Sequence, residues 1–180
     1  GVYTKSEATV IHHMFYGLFA LQHRGQESAG VSISKDGKLK THKAMGLVSH
    51  VLDDKTMATL EGNVAIGHVR YSTCGDSNVN NAQPLEGHCK LGQLAIAHNG
   101  TLTNAKIVRE LLEETGAVFQ STIDSEVILS LTSRKASKGL EQAIVDAINM
   151  IQGAYAIVMT VEGKLVGIRD PHGIRPLCLG

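Results

Sequence analysis

At 180 residues and 43% hydrophobic content, the chain has the size and apolar content of one domain with its own core. Lys+Arg and Asp+Glu both total 17, and there is no Trp beside three Phe and four Tyr, so neither a basic field nor an aromatic platform points to nucleic acid or an anionic membrane. The apolar runs are far short of the ~20 residues of a spanning helix, no signal peptide is expected, and three scattered cysteines (Cys74, Cys89, Cys178) fit a reducing cytoplasm better than a disulfide framework.

Residues 6–24 carry apolar side chains at helical spacing (Val10, Ile11, Met14, Phe15, Leu18, Phe19, Leu21), closed by Gly25. Val31-Ser-Ile-Ser34 alternates and runs through Lys35-Asp-Gly37 into Lys38-Leu-Lys40, which predicts a hairpin. Val64-Ala-Ile-Gly-His-Val69 reads as a buried strand, and Leu94-Ala-Ile-Ala97 as another that runs into His98-Asn-Gly100. Three helices are expected, over residues 104–114, 124–133 and from Leu140 to Ile151, with Gly116 and Gly153 as stops. Residues 154–160 and 164–169 form a hairpin around Glu162-Gly163, and Asp170-Pro-His-Gly173 is a turn. Hairpins outnumber β-α-β units, so the pattern predicts an α+β domain of mainly antiparallel sheets with helices packed outside.

The densest polar segment is Gln22-His-Arg-Gly-Gln-Glu-Ser-Ala-Gly30, at the helix-to-strand junction. Further along come Gly67-His-Val-Arg-Tyr-Ser-Thr73, His98-Asn-Gly100 with Leu102-Thr-Asn104, and Asp124-Ser-Glu-Val127. Gly153-Ala-Tyr-Ala156 and Asp170-Pro-His-Gly-Ile-Arg-Pro-Leu177 close the series. In this order and spacing they resemble the glutamine-amidotransferase half of the amidophosphoribosyltransferase family, over essentially the whole chain. The resemblance implies an N-terminal-nucleophile hydrolase fold, a four-layer αββα sandwich of two antiparallel sheets between helical layers. It also implies an activity: glutamine is hydrolysed to glutamate and ammonia, and the ammonia passes to 5-phosphoribosyl diphosphate to give 5-phosphoribosylamine, the first step of de novo purine synthesis. A homo-oligomer in the cytoplasm is expected.

Hydrolysing a glutamine side-chain amide needs a nucleophile, donors for the developing oxyanion, a base, and partners for the substrate's α-carboxylate and α-ammonium. Asn99-Gly100 has two readings: a two-residue hairpin turn, and an oxyanion hole built from the Asn99 amide and the Gly100 N–H. Arg70 is either a surface arginine at a strand end or the fork that grips the α-carboxylate, with Thr73 assisting. Asp124 is either a helix N-cap or the acceptor for the α-ammonium, in which case Thr122 is free to cap. Arg24 braces the nucleophile or holds its own junction together. Gln26 and Glu27 are read as structural, and His68 and His98 as packed neighbours. Asp53-Asp54 is read as a solvated turn. None of the nine histidines lies in a metal-binding spacing, so no metal or other cofactor is expected in this domain.

The family's nucleophile is an N-terminal cysteine whose own α-amine is the base. Gly1-Val-Tyr3 resembles the later part of the family's opening pattern, which places that cysteine about four residues upstream. The chain is therefore expected to be a glutaminase domain without its first residues, inactive by itself. The family's phosphoribosyltransferase domain, with its Mg²⁺, is expected to lie outside it, as are the iron–sulfur ligands that some members carry. Two alternatives stay open: a non-catalytic glutamine-binding or scaffold domain, and another amidotransferase such as the glucosamine-6-phosphate-forming enzyme.

Overall fold

A computed structural model describes residues 1–6, 9–71 and 77–180. The first sheet has the order β1 (Val2–Tyr3), β4 (Val64–Arg70), β2 (Ser28–Lys35), β3 (Lys38–Met45), and every neighbour is antiparallel. The second has the order β5 (Leu85–Cys89), β6 (Gly92–Leu102), β7 (Gly153–Val161), β8 (Lys164–Arg169), again antiparallel throughout. Helix α1 (Val10–Ala20) and the short helices α2 (Val48–Val51) and α3 (Asp54–Met57) belong to the first half, while α4 (Ala105–Glu114), α5 (Ser125–Lys135) and α6 (Leu140–Ile148) belong to the second.

Three apolar clusters show how these pieces stack. Val10, Ile11, Met14 and Leu18 of α1 bury against Ala29, Val31 and Ile33 of β2. Val127, Ile128 and Leu131 of α5 and Ile144 of α6 bury against Leu94 and Ile96 of β6 and Tyr155, Ile157 and Met159 of β7. Between the sheets lie Ile66, Ala95 and Ala97, with Leu39, Val158 and Leu165 against them. Alternation along β6 therefore sends Leu94 and Ile96 to the helices and Ala95 and Ala97 to the opposite sheet. The result is the four-layer αββα sandwich.

The polar face of β2 is buried as well. Ser28, Ser32 and Ser34 are each no more than 1% exposed, because the second sheet covers the side that alternation alone would leave wet. Ser32 Oγ shares a hydrogen bond of 2.7 Å with Thr41 Oγ1 across the hairpin.

The structure corrects three expectations. Asn99-Gly100 is not a turn: both residues lie inside β6, opposite Ala156 and Tyr155 of β7. The predicted first helix ends at Ala20, and Gln22–Arg24 form a separate 3-10 turn. Asp53 is more than a solvated turn residue, since its Oδ1 accepts the Thr56 N–H at 2.8 Å and caps α3.

Candidate active site

A pocket of about 500 Å³ opens where β4 and β6 present their C-terminal ends. Arg24, Arg70, Asn99, Gly100 and Asp124 all line it, together with His68, Tyr71, Gln83, His98, Ser125 and Arg175. Five of the six residues singled out in the sequence thus meet around one cavity. The sixth, Thr73, lies outside the described residues, as does Cys74.

Arg70 ends β4 and is only 4% exposed, which rules out the surface reading. Its Nη1 donates to Glu27 Oε1 within the Gln22–Gly30 stretch. That stretch folds directly onto the Arg70 backbone. The Glu27 N–H donates to the Arg70 carbonyl at 3.1 Å, and a Cβ on Gly25 would sit 2.7 Å from the Arg70 carbonyl carbon. Glu27 is therefore structural in a specific sense, because it holds a buried guanidinium beside the pocket. Arg24 is exposed, in the 3-10 turn on the pocket's edge.

Asn99 is exposed to the pocket and Gly100 is half-buried beside it. Gly100 has φ +152°, and a Cβ there would come within 2.1 Å of the Ala154 carbonyl oxygen on β7, so only glycine fits this bend of the strand.

Asp124 stands at the N-cap position of α5 but makes no cap bond. Its Oδ2 accepts the Leu102 N–H at 2.9 Å, and its Oδ1 lies 3.6 Å from His98 Nδ1. Nor does Thr122 cap: its hydroxyl accepts from Asn81 Nδ2 at 2.8 Å. The carboxylate is thus turned from its helix towards β6, and it is only partly buried.

Two neutral histidines lie beneath these groups. His98 Nδ1 shares a hydrogen bond of 3.0 Å with Ser125 Oγ. Burial holds its pKa below the ordinary range and the Arg175 guanidinium adds to this, against the pull of Asp124. His68 is lowered to about 4, first by burial and then by the charges of His98 and Arg70. Among the described residues His68 Nδ1, His98 Nε2 and Arg175 Nε are buried without a hydrogen-bond partner.

Arg175 was not read as a site residue. The buried Asp170 brings it there: its carboxylate accepts the N–H groups of His172, Ile174 and Arg175 at 3.0–3.1 Å and turns the chain back over the pocket. Burial pushes the Asp170 pKa up, and these backbone donors more than offset it, leaving it lowered. The signal was Asp-Pro-x-Gly, whose side-chain-to-backbone bonds mark a tight turn. Neither Cys89 nor Cys178 lines the pocket, and among the described residues no cluster of His, Cys, Asp and Glu could hold a metal ion. No helix among them is long and apolar enough to cross a membrane.

The geometry has close counterparts. Residues 68–180 match the family model described as a glutamine amidotransferase domain. The chain is 46% identical over its whole length to amidophosphoribosyltransferase 2, chloroplastic, of Arabidopsis thaliana, covering 32% of that protein. It is 40% identical to the amidophosphoribosyltransferase of Bacillus subtilis, covering all of this chain and 38% of that one. Among solved structures, the glutamine phosphoribosylpyrophosphate amidotransferase of B. subtilis, complexed with ADP and GMP, superposes with a TM-score of 0.88 at 39% identity, over 97% of this chain and 37% of that one. The chain spans about a third of the length of these relatives. Two antiparallel sheets between helical layers, a pocket holding Arg70, Asn99, Gly100 and Asp124, and a family model over residues 68–180 converge. The chain belongs to the glutamine amidotransferase domain family and resembles, along its whole length, the segment of that family found in amidophosphoribosyltransferases.

Proposed function

We propose that this domain binds glutamine in the β4/β6 pocket and forms the glutaminase half of an amidophosphoribosyltransferase. The observation that carries the reading is the convergence of a buried guanidinium, a carboxylate turned off its helix and a strand bend restricted to glycine on one cavity. Arg70, oriented by Glu27, takes the α-carboxylate. Asp124 takes the α-ammonium, and the Asn99 amide and Gly100 N–H hold the oxyanion as the amide carbon becomes tetrahedral. Thr73 assists Arg70, and Arg24 on the pocket's edge braces the nucleophile.

The nucleophile is a cysteine upstream of Gly1. In β1 Val2 lies opposite Ala65 and Tyr3 opposite Val64, so each step back along this strand is a step forward along β4. Carried back in the same register, a residue about four places before Gly1 would come opposite Arg70, which supports this reading. Its thiolate attacks the amide carbon, its α-amine gives the proton with which ammonia leaves, and water then cleaves the thioester to glutamate. The ammonia goes to 5-phosphoribosyl diphosphate in a second, Mg²⁺-dependent domain, giving 5-phosphoribosylamine for purine synthesis. A homo-oligomer in the cytoplasm completes the reading, and the names of the relatives support its chemistry.

Calorimetric titration with glutamine is the first test. The chain should bind glutamine, and Arg70→Ala should raise Kd by more than about tenfold, since a charged hydrogen-bond pair is worth ~1.5–3 kcal/mol. Equal affinity of parent and variant would remove Arg70 from the site. Absence of ammonia release from glutamine by the full-length gene product would leave the non-catalytic binding domain as the answer.

A further inference from the structure

One short segment reaches both halves of the pocket. Asn81 ends the 3-10 turn Val79–Asn81 and is 0% exposed. Its Nδ2 donates to Thr122 Oγ1 at 2.8 Å and its Oδ1 accepts the Thr122 N–H at 2.9 Å, two residues before Asp124. Two residues after Asn81, Gln83 is 6% exposed. Its Oε1 accepts the His98 N–H at 2.7 Å and its Nε2 donates to the His98 carbonyl at 3.3 Å, one residue before Asn99.

The second pair lies where a ladder of the sheet ends. The ladder between β5 and β6 starts at Leu85, opposite Ile96, two residues short of His98. The Gln83 side chain bonds both main-chain groups of His98 just beyond the end of that ladder. A primary amide carries a donor and an acceptor side by side, so it can satisfy an N–H and a carbonyl of one residue together. The segment is anchored elsewhere too, since Lys43 Nζ on β3 donates to the Ala82 carbonyl at 2.6 Å.

We propose that Asn81 and Gln83 are positioning residues that fix the α-ammonium acceptor and the oxyanion donors relative to each other. The inference rests on the glutaminase reading above. Gln83 sets the strand that aims Asn99 and Gly100, groups used as charge develops. Asn81 sets the loop that places Asp124, a group used when glutamine binds. The two therefore act on different kinetic parameters, a separation that simple loss of stability does not produce.

The test is steady-state ammonia release from glutamine by the full-length protein, normalised to folded enzyme. Gln83→Met keeps the packing and loses both bonds. It should lower kcat by about ten- to a hundredfold and leave KM for glutamine within about threefold, as expected when reacting groups are misplaced. Asn81→Leu should do the reverse, raising KM about tenfold with kcat within about threefold. Where Asn81→Leu fails to fold, Thr122→Val carries that arm, because Thr122 is exposed and the change removes only its hydroxyl. Where Gln83→Met fails to fold, Gln83→Glu keeps the acceptor for the His98 N–H and should give a smaller fall in kcat. Variants with a lowered Tm but parental kcat and KM, or with equal losses in both arms, would make the segment merely structural and overturn the proposal. A parent that releases no ammonia from glutamine would overturn the glutaminase reading itself, and this inference with it.

Discussion

His68 shows how far a residue's chemistry depends on its neighbours. In sequence it is a histidine on a strand, with an ordinary pKa near 6.5. In the fold, burial beside His98 and Arg70 lowers it to about 4, so it is neutral at physiological pH. The sign of the pH effect follows. The unfolded chain takes up this proton below about 6.5 and the folded chain only near 4, so stability is complete above pH 6.5 and is lost as pH falls towards 4. Between pH 7 and pH 5 the loss should be about 2 kcal/mol from this residue. Urea unfolding at both pH values would read it, and His68→Gln should remove about that much of the slope. Identical slopes in parent and variant would mean that His68 takes up its proton in the fold as readily as in the unfolded chain. Arg70 makes the same point about legibility. Its role was suggested by resemblance, but its burial was not visible, because its partner Glu27 is far away in sequence and reaches it only through the β2/β4 pairing.

At the scale of elements, the periods were readable and the junctions were not. The β2/β3 and β7/β8 hairpins stand where Asp36-Gly37 and Glu162-Gly163 placed them, and Asp36 and Glu162 both take positive φ. Asn99-Gly100 is the same kind of signal with the opposite outcome. Here β7 pairs with both sides of the dipeptide, and long-range pairing overrides the local turn preference. β5 was missed because Glu86-Gly-His88 has little β preference, and pairing with β6 alone makes it a strand. The bend at Gly100 gives a direct check. Gly100→Ala must place a Cβ within 2.1 Å of the Ala154 carbonyl oxygen at φ +152°. It should lose at least ~1–3 kcal/mol of stability and weaken glutamine binding. A variant with the parent's denaturation midpoint and affinity would show that the bend tolerates a side chain.

For the whole molecule, the decisive contact is the one between the two sheets. Its buried apolar members are Ile66, Ala95 and Ala97, with Ile66 the bulkiest of the three. Ile66→Ala should cost ~2–5 kcal/mol by opening a cavity between the sheets. Ile107→Ala, at a position 70% exposed on α4, should stay within ~0.5 kcal/mol. Similar urea midpoints for the two variants would place the stability of the domain elsewhere. The sequence alone determined the α+β class and most helices and hairpins, because helical and strand periods and turn chemistry act over a few neighbours, whereas Arg70, Asn99, Gly100 and Asp124 were singled out through the family resemblance. Only the tertiary structure decided that the serine face of β2 is buried, that Asn99-Gly100 belongs to a strand, that Asp124 leaves its helix for Leu102, and that Asn81 and Gln83 reach both sides of the pocket. Each of those outcomes depends on a partner many residues away, and strand pairing and sheet stacking, which local patterns do not encode, bring the partners together.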